Sequence, residues 1–251
     1  MYKIGLYCFL VFYSTFLFAA TPKEQMAKAN ELAAGGKYQD AIKIYETLLS
    51  EGQESCVLYY NLGNAYYKAD KLSSAILQYE RAKQISPKDK DILHNLKIAN
   101  EQVKFPVNNL PTMFYIRWWQ NIVNTFSPTL WGILCLLALW GTFAAFGLFT
   151  YRKEALVKKR SLYSGITLGV LSLFLLLFTY SRYEYRYDQS HAIVFEEEIP
   201  LQIAPSNDSE VSTSLTEGVK VTVKDQLDDW VKVSLSDGRE GWITLKSIQM
   251  I

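Results

Sequence analysis

Two long uncharged segments joined by a short basic loop constrain most strongly what this chain can fold into. Residues 129–151 and 161–181 contain no Asp, Glu, Lys or Arg, and each has the roughly 20 residues that a helix needs to cross the hydrocarbon core of a bilayer. Five of the nine residues in Arg152–Arg160 are basic, and basic residues hold short loops in the cytoplasm. The pattern predicts two transmembrane helices, a cytoplasmic loop over 152–160, and both flanking regions outside the membrane.

The remaining charges exclude several classes of protein. The 26 Lys and Arg residues nearly balance the 25 Asp and Glu residues, which gives a formal net charge of +1, whereas a nucleic-acid-binding domain carries a basic excess. A single soluble globule is excluded by the uncharged segments, and two spans are too few to wall a transport pathway. Neither predicted span contains a carboxylate, lysine, arginine or histidine that would mark an ion pathway. We therefore interpret the two spans as an anchor in the lipid bilayer.

Small residues within the spans favour close helix packing. Gly165 and Gly169 are four residues apart in the second span, and Gly141 and Ala145 offer a matching face on the first. Such pairs let helix backbones approach in lipid. The pattern fits packing within the hairpin and oligomerisation equally well.

The N-terminal segment Met1–Ala20 has the order of features found in an export signal. Lys3 precedes an apolar run from Ile4 to Phe18, and the small residues Ala19 and Ala20 follow this run. If the signal peptide is cleaved after Ala20, Phe18 occupies the −3 position of the cleavage site, where a small residue is expected. A retained membrane anchor is therefore the alternative. Either interpretation sends the next segment across the membrane.

Residues 22–104 contain an internal repeat with a period of 34 residues. Ala41, Ile42 and Tyr45 recur as Ala75, Ile76 and Tyr79. The second copy has aromatic, small and proline residues in a fixed order, namely Tyr59, Leu62, Gly63, Tyr66, Ala75, Tyr79, Ala82 and Pro87. This order resembles the tetratricopeptide repeat, a pair of antiparallel helices. We expect two repeats over Pro22–Pro87, with a capping helix in Asp89–Lys104.

In the tetratricopeptide family, partners bind the concave face formed by the first helix of each repeat. The resemblance therefore implies a partner-binding face composed of Met26, Asn30, Tyr60, Asn61, Asn64, Tyr67, Lys68, Asp91, His94 and Ile98. Relatives that clamp a peptide carboxylate combine asparagines with several basic residues, and those basic residues are missing here. The sequence thus favours a neutral aromatic groove for a polypeptide segment, and the alternative is that Tyr60 and Tyr67 only pack between repeats.

An aromatic stretch connects the repeats to the first span. Residues 105–127 include Tyr115, Trp118, Trp119 and Phe126 with Arg117 as the one charge. Aromatic side chains favour the headgroup zone of a membrane. Within this segment, Thr112–Phe126 is interpreted as an interfacial helix, with a plain linker as the alternative.

The hydrophobic period changes to two near the C-terminus, which predicts strands over residues 191–251. Val219, Val221 and Val223 alternate with polar residues, and Asp237 followed by Gly238 signals a tight turn between two strands. Together with Trp230 and the Gly241-Trp242 pair, this order resembles a bacterial SH3-like barrel. In that family an aromatic cleft can bind cell-wall peptides, so Trp230 and Trp242 are candidate ligand residues, with a purely core role as the alternative.

The whole arrangement makes this a multi-domain α plus β membrane protein. Its order of segments resembles the BatE family of aerotolerance-associated bacterial membrane proteins, which implies membrane-protein partners, some with von Willebrand factor A domains. Only His94 and His191 are histidines, and no catalytic or phosphate-binding motif accompanies them, so we expect neither an enzyme nor a cofactor or metal. Two hypotheses remain: a periplasmic scaffold that binds partners through its repeats, and an envelope sensor that binds wall peptide through its SH3-like domain.

Overall fold

The computed structural model describes residues 21–105, 113–188 and 190–251. The predicted export signal lies outside the described residues, as does part of the predicted linker. The chain forms two compact units. The first contains the helices before the linker and nearly all of the C-terminal sheet, and the second contains the three helices between them.

Five helices form the described N-terminal part of the first unit. They are α1 (Pro22–Ala34), α2 (Tyr38–Ser50), α3 (Cys56–Lys68), α4 (Leu72–Ile85) and α5 (Lys90–Glu101). A capping box starts α1, since Thr21 accepts from the backbone of Glu24 and the Glu24 carboxylate accepts in return. Asp89 caps the start of α5, and α4 ends two residues before Pro87, which disfavours helix in the residue that precedes it.

The helices α3 and α4 pack closely because a glycine lies between them. A Cβ built on Gly63 would lie 2.7 Å from two ring carbons of Tyr79, so only glycine leaves room for the ring. Ala75 on α4 is fully buried, and Tyr66 and Tyr79 are buried beside it. In the first helix pair, Ala29 occupies the position equivalent to Gly63 and is also fully buried. The helix pairs therefore have the packing that the 34-residue pattern predicts.

The second unit consists of a short helix and two long apolar ones: α6 (Phe114–Val123), α7 (Pro128–Tyr151) and α8 (Ala155–Tyr187). Within the described residues, α7 and α8 are long and apolar enough to cross a membrane. The structure differs from the sequence-based bounds in α8, which begins inside the predicted loop 152–160 and continues six residues past Ser181. Charged residues do not stop a helix in water, so the end of an uncharged segment is a poor guide to the end of the helix.

Small residues on α7 and α8 face the other helix of the pair. A Cβ on Gly165 would lie 3.4 Å from the Cβ of Ala145, and one on Gly141 would lie 2.9 Å from a methyl group of Leu168. Many large apolar side chains point outward instead, with Trp140 75% exposed. The small-residue pattern is thus used for packing within the hairpin.

The C-terminal segment forms a seven-stranded sheet, most of it in the first unit. Its strands are β1 (His191–Val194), β2 (Glu198–Gln202), β3 (Val211–Thr216), β4 (Lys220–Leu227), β5 (Trp230–Ser234), β6 (Glu240–Thr244) and β7 (Ile248–Met250). Their order across the sheet is β3-β2-β6-β5-β4-β1-β7, and β1 pairs antiparallel with β7. The predicted turn has Gly238 at φ +91°, with the amide of Leu235 donating to the carbonyl of Arg239 at 2.8 Å. The strand-rich architecture is consistent with an SH3-like domain.

Candidate functional site

A groove of about 450 Å³ lies on the face of the helical repeats where the first helices of successive pairs come together. Its lining comes from all five helices: Ala33, Tyr38, Asn64, Ala65, Tyr67, Lys68, Tyr79, Asn95 and Ile98. Of these described lining residues, Lys68 alone carries a charge. Aromatic, amide and aliphatic groups line the rest of the groove.

A repeating set of hydrogen bonds joins the helices that form this groove. The Oδ1 atom of Asn64 accepts from the hydroxyl of Tyr79 and from the side-chain amide of Asn95, both at 2.8 Å. One period of 34 residues earlier, Asn30 accepts from Tyr45 at 2.7 Å and from Asn61 at 2.9 Å. We call the two sets together the Asn–Tyr ladder. Each set joins the two helices of one pair to the first helix of the next.

The electrostatics of the ladder keep the tyrosine hydroxyls as donors. Burial raises the pKa of Tyr45 to about 12. Burial also raises the pKa of Tyr79, and the neighbouring Tyr60 adds to the effect. Both hydroxyls therefore stay protonated at neutral pH, and each supplies its proton to an asparagine oxygen. With these oxygens engaged, the amide protons of Asn30 and Asn64 are the groups left for another acceptor.

The predicted partner-binding residues divide into two groups. Asn64, Tyr67, Lys68 and Ile98 line the groove. The others predicted for this face lie outside its lining: Met26, Asn30, Tyr60, Asn61, Asp91 and His94.

The residues outside the groove lining either pack against the core of the repeats or are exposed to solvent. Met26 is half-buried against the apolar core of the repeats, and His94 is exposed. Tyr60 is also half-buried against the core, with its ring centroid 6.2 Å from that of Tyr79 and its hydroxyl accepting from Asn95 at 3.1 Å. Tyr60 therefore packs between repeats, whereas Tyr67 packs against the same core and also lines the groove.

Sequence reasoning missed several lining residues. Asn95 lies near a position where carboxylate-clamp relatives have a basic residue, but it is not among the residues predicted for the face; it follows Asn61 by one period of 34 residues, which is the signal that identifies it. Tyr38 comes from the first turn of α2, and Tyr79 from the second helix of its pair. The first-helix rule for the concave face excludes both positions.

A second candidate surface lies on the sheet, along β5 and β6. Val231, Val233 and Ile243 point into the core and are buried. Trp230 and Trp242 alternate with these residues and are half-buried, so they lie on the opposite, outward face of the two strands. The tryptophans are thus not part of the core.

Two family models match the chain. The model described as tetratricopeptide repeat matches residues 56–89, and the model described as bacterial SH3 domain matches residues 203–249. No curated protein matches the chain. The prediction of a tetratricopeptide repeat and of a bacterial SH3-like domain is confirmed. Both are interaction modules, typically without catalytic activity, and they indicate protein or peptide partners. Among the residues that the structure describes, no three His, Cys, Asp or Glu side chains cluster to hold a metal ion.

Proposed function

We propose that this protein is a membrane-anchored scaffold of the cell envelope that binds a segment of a partner protein in the groove of its repeats. The observation that carries the proposal is the groove itself, about 450 Å³ in volume and lined by aromatic and amide groups. Its volume is in the range of pockets that bind small ligands or a few residues of a peptide.

The Asn–Tyr ladder supports binding without rearrangement. Because the bonds of Asn64 to Tyr79 and Asn95 tie three helices together, the groove is formed before a partner arrives. A preformed site avoids part of the ordering cost of association. Tyr67 and Lys68 supply an aromatic surface and one positive charge, which suit a polypeptide segment with an apolar side chain and a nearby acceptor.

The two long apolar helices serve as the anchor in this proposal. The helices α7 and α8 bury few of their apolar side chains in the protein, and an outward-facing residue such as Trp140 would lie in lipid. The helix α6 exposes Phe114, Tyr115 and Trp118, which fits a position in the headgroup zone. Repeats and barrel then lie on the periplasmic side of the cytoplasmic membrane.

The identity of the partner rests on family resemblance. The order of repeats, paired apolar helices and bacterial SH3-like domain is similar to that of BatE-type proteins. We therefore propose other membrane proteins of the same aerotolerance-associated set as partners, including those with von Willebrand factor A domains. Anchoring in one membrane raises the effective concentration of such partners without new contacts.

Site-specific photocrosslinking in intact cells tests the scaffold function. Benzoylphenylalanine in place of Lys68 is expected to capture a membrane protein with a periplasmic domain, because position 68 lies in the groove. The same residue in place of Lys43, an exposed position on α2 outside the groove lining, is the matched control and is expected to capture no such protein.

A substitution in the groove lining shows whether the crosslink depends on the groove. Ile98→Asp places a charge in the lining and is expected to abolish the crosslink from position 68, while Lys97→Glu on the same helix, outside the lining, leaves it intact. Equal crosslinking from positions 43 and 68, or a crosslink insensitive to Ile98→Asp, would contradict the scaffold proposal.

The outward tryptophans favour a second candidate function, binding of cell-wall peptide by the SH3-like domain. Trp230 and Trp242 lie on a half-exposed face rather than in the core, where their rings can stack on a ligand. Pull-down of the solubilised full chain with purified peptidoglycan tests this function. Trp230→Ala together with Trp242→Ala is expected to lower retention at least tenfold, and unchanged retention in this double variant would refute it.

A further inference from the structure

The helix α4 buries polar residues on the side that faces away from α3. Ser73 and Glu80, which are seven residues apart and therefore share one face of the helix, are both less than 7% exposed. An outer helix of a two-repeat array ordinarily has a polar, solvated face there. Burial of a carboxylate is costly unless it is paired, so the partners of this face need to be identified.

The partners are supplied by the sheet, 140 residues later in the chain. Lys220 at the start of β4 donates to the Glu80 carboxylate at 2.9 Å, and Lys83 on α4 donates to the same oxygen at 3.4 Å. The hydroxyl of Ser73 donates to Glu217 at 3.2 Å. The polar side chains of Ser73 and Glu80 are thus satisfied from the barrel as well as from the helix itself.

Apolar contacts surround this ion pair. Gly218 has φ +81°, and a Cβ built on it would lie 2.9 Å from Val103 and 3.0 Å from Ile76. Only glycine combines this backbone conformation with so close an approach. Ile193 and Ile251 from the sheet belong to the same hydrophobic core as the repeat residues. The interface therefore combines apolar burial with charge pairing.

We propose that the SH3-like barrel is a permanent partner of α4 within the same chain, so that repeats and barrel work as one rigid body and not as two independently tethered domains. Glu80 would be left in an apolar surrounding without Lys220 if the barrel moved away. The barrel also occupies the outer face of the second repeat, which closes this face to other proteins. External partners of the repeats then bind on other surfaces, among them the groove.

The proposal has a topological consequence that is independent of the positive charges in 152–160. The two long helices α7 and α8 lie in sequence between Val103 and Gly218, which touch each other in the folded chain. Only an even number of membrane crossings between them returns the chain to the side that it left. If α7 crosses the membrane, α8 crosses it as well.

Hydrogen–deuterium exchange of the detergent-solubilised full chain tests the proposal. Lys220→Glu is the informative variant, because it lies in the barrel and touches the repeats only through this interface. It is expected to speed exchange of α4 amides about tenfold or more. Glu80→Lys is expected to speed exchange in both α4 and β4, and the double variant with Lys220→Glu is expected to restore protection in both.

The matched control is Lys232→Glu, the same charge reversal on the outward face of the barrel, where Lys232 pairs with Glu240 at 3.0 Å. It is expected to leave α4 exchange unchanged. Exchange of β6 reports whether the barrel remains folded in each variant. Wild-type exchange in α4 despite Lys220→Glu would overturn the proposal, as would failure of the double variant to recover protection while β6 stays protected. The exchange experiment uses this protein without a binding partner, so its outcome does not depend on whether the scaffold proposal is correct.

Discussion

The side-chain oxygen of Asn64 accepts the hydroxyl of Tyr79 at 2.8 Å, and the equivalent pair one repeat earlier, Asn30 and Tyr45, makes the same bond at 2.7 Å. Each bond links the first helix of a pair to the second. Asn30 and Asn64 match the asparagine positions of carboxylate-clamp relatives, but here their side-chain oxygens bond to tyrosines of the repeats and stabilise the helix pairs. The oxygen of Asn64 is thereby engaged, and the groups left for a ligand are its amide protons and the neighbouring residues Tyr67, Lys68 and Ile98.

Removal of the Tyr79 hydroxyl is expected to weaken the second repeat without unfolding it. Tyr79→Phe deletes one hydrogen bond to Asn64, which costs about 1 kcal/mol. The expected readout is about fivefold faster hydrogen exchange in α3 and α4. Tyr38→Phe is the control, because the Tyr38 hydroxyl makes no hydrogen bond within the described residues. Equal effects of the two variants would show that the bond adds no stability.

A methyl group at position 63 is expected to destabilise the second repeat more strongly. Gly63→Ala brings a Cβ within 2.7 Å of the Tyr79 ring, and such overpacking costs roughly 1–3 kcal/mol. Pulse proteolysis in urea is expected to give a lower midpoint than for wild type. Gly35→Ala at the C-cap of α1, whose Cβ would meet nothing closer than 3.4 Å, is the control for a glycine-to-alanine change without overpacking. An unchanged midpoint for Gly63→Ala would mean that α3 and α4 are less tightly packed.

The packing of the apolar hairpin is expected to allow a disulfide between its helices. With native cysteines replaced, Ala145→Cys and Gly165→Cys bring the two Cβ atoms to about the 3.4 Å found between Ala145 and a Cβ on Gly165, close to disulfide geometry. Copper phenanthroline in membranes is expected to give an intramolecular bond. The pair of Phe143→Cys with Gly165→Cys is the control and is expected to stay reduced. Predominant disulfide-linked dimers from the first pair would favour oligomerisation.

The ion pair of Glu80 predicts that stability depends on acid pH. Burial alone would raise the pKa of the Glu80 carboxyl, but Lys220 and Lys83 outweigh it and hold this pKa below its ordinary value. Folded Glu80 thus releases its proton more readily than unfolded Glu80. Its contribution is complete above the ordinary carboxyl pKa and is lost as pH falls through the lowered one.

Comparison with Glu80→Gln isolates this contribution from those of other carboxylates. At pH 7 the wild type is expected to unfold at a higher urea concentration than the variant, and the difference is expected to shrink as the pH is lowered to about 3. Intrinsic fluorescence follows both transitions. A difference that stays constant or grows on acidification would argue against a charged Glu80 in the folded protein.

Cysteine labelling in whole cells is expected to report the proposed topology. In a background without native cysteines, Ser50→Cys in the repeats and Ser236→Cys in the barrel are expected to react with an impermeant maleimide. Lys153→Cys, between α7 and α8, is expected to react only after the cells are permeabilised. Labelling of position 153 in intact cells, with positions 50 and 236 protected, would show the opposite orientation in the membrane.

Local sequence patterns predicted the elements well. The 34-residue period predicted the packing of Gly63 against the helix that carries Tyr79, because small and large residues recur at fixed offsets. Alternation in β5 predicted the burial of Val231 and Val233. The turn at Gly238 follows from the backbone freedom of glycine. These features depend on neighbours in sequence, and a single chain contains that information.

Features that depend on distant contacts were not predictable in the same way. A polar face such as that of Ser73 and Glu80 looks solvated in sequence, and nothing local indicates that Lys220 will cover it. The Asn–Tyr ladder was predictable in part. Its members recur with the same period as the repeat, but side-chain hydrogen bonds between helices are visible only once the helices are placed.

The ion pair of Glu80 and Lys220 also has a consequence for biosynthesis. Its two residues are 140 positions apart, and chains are made at about 5–20 residues per second, so Lys220 emerges about 7–28 s after Glu80. During this interval the newly made repeats present a buried-type carboxylate and the apolar side chains of Leu72 and Ile76 to solvent. Small helical units fold within milliseconds, so the repeats wait for their last partner. The α4 face of the nascent chain is therefore uncovered until the barrel has been made.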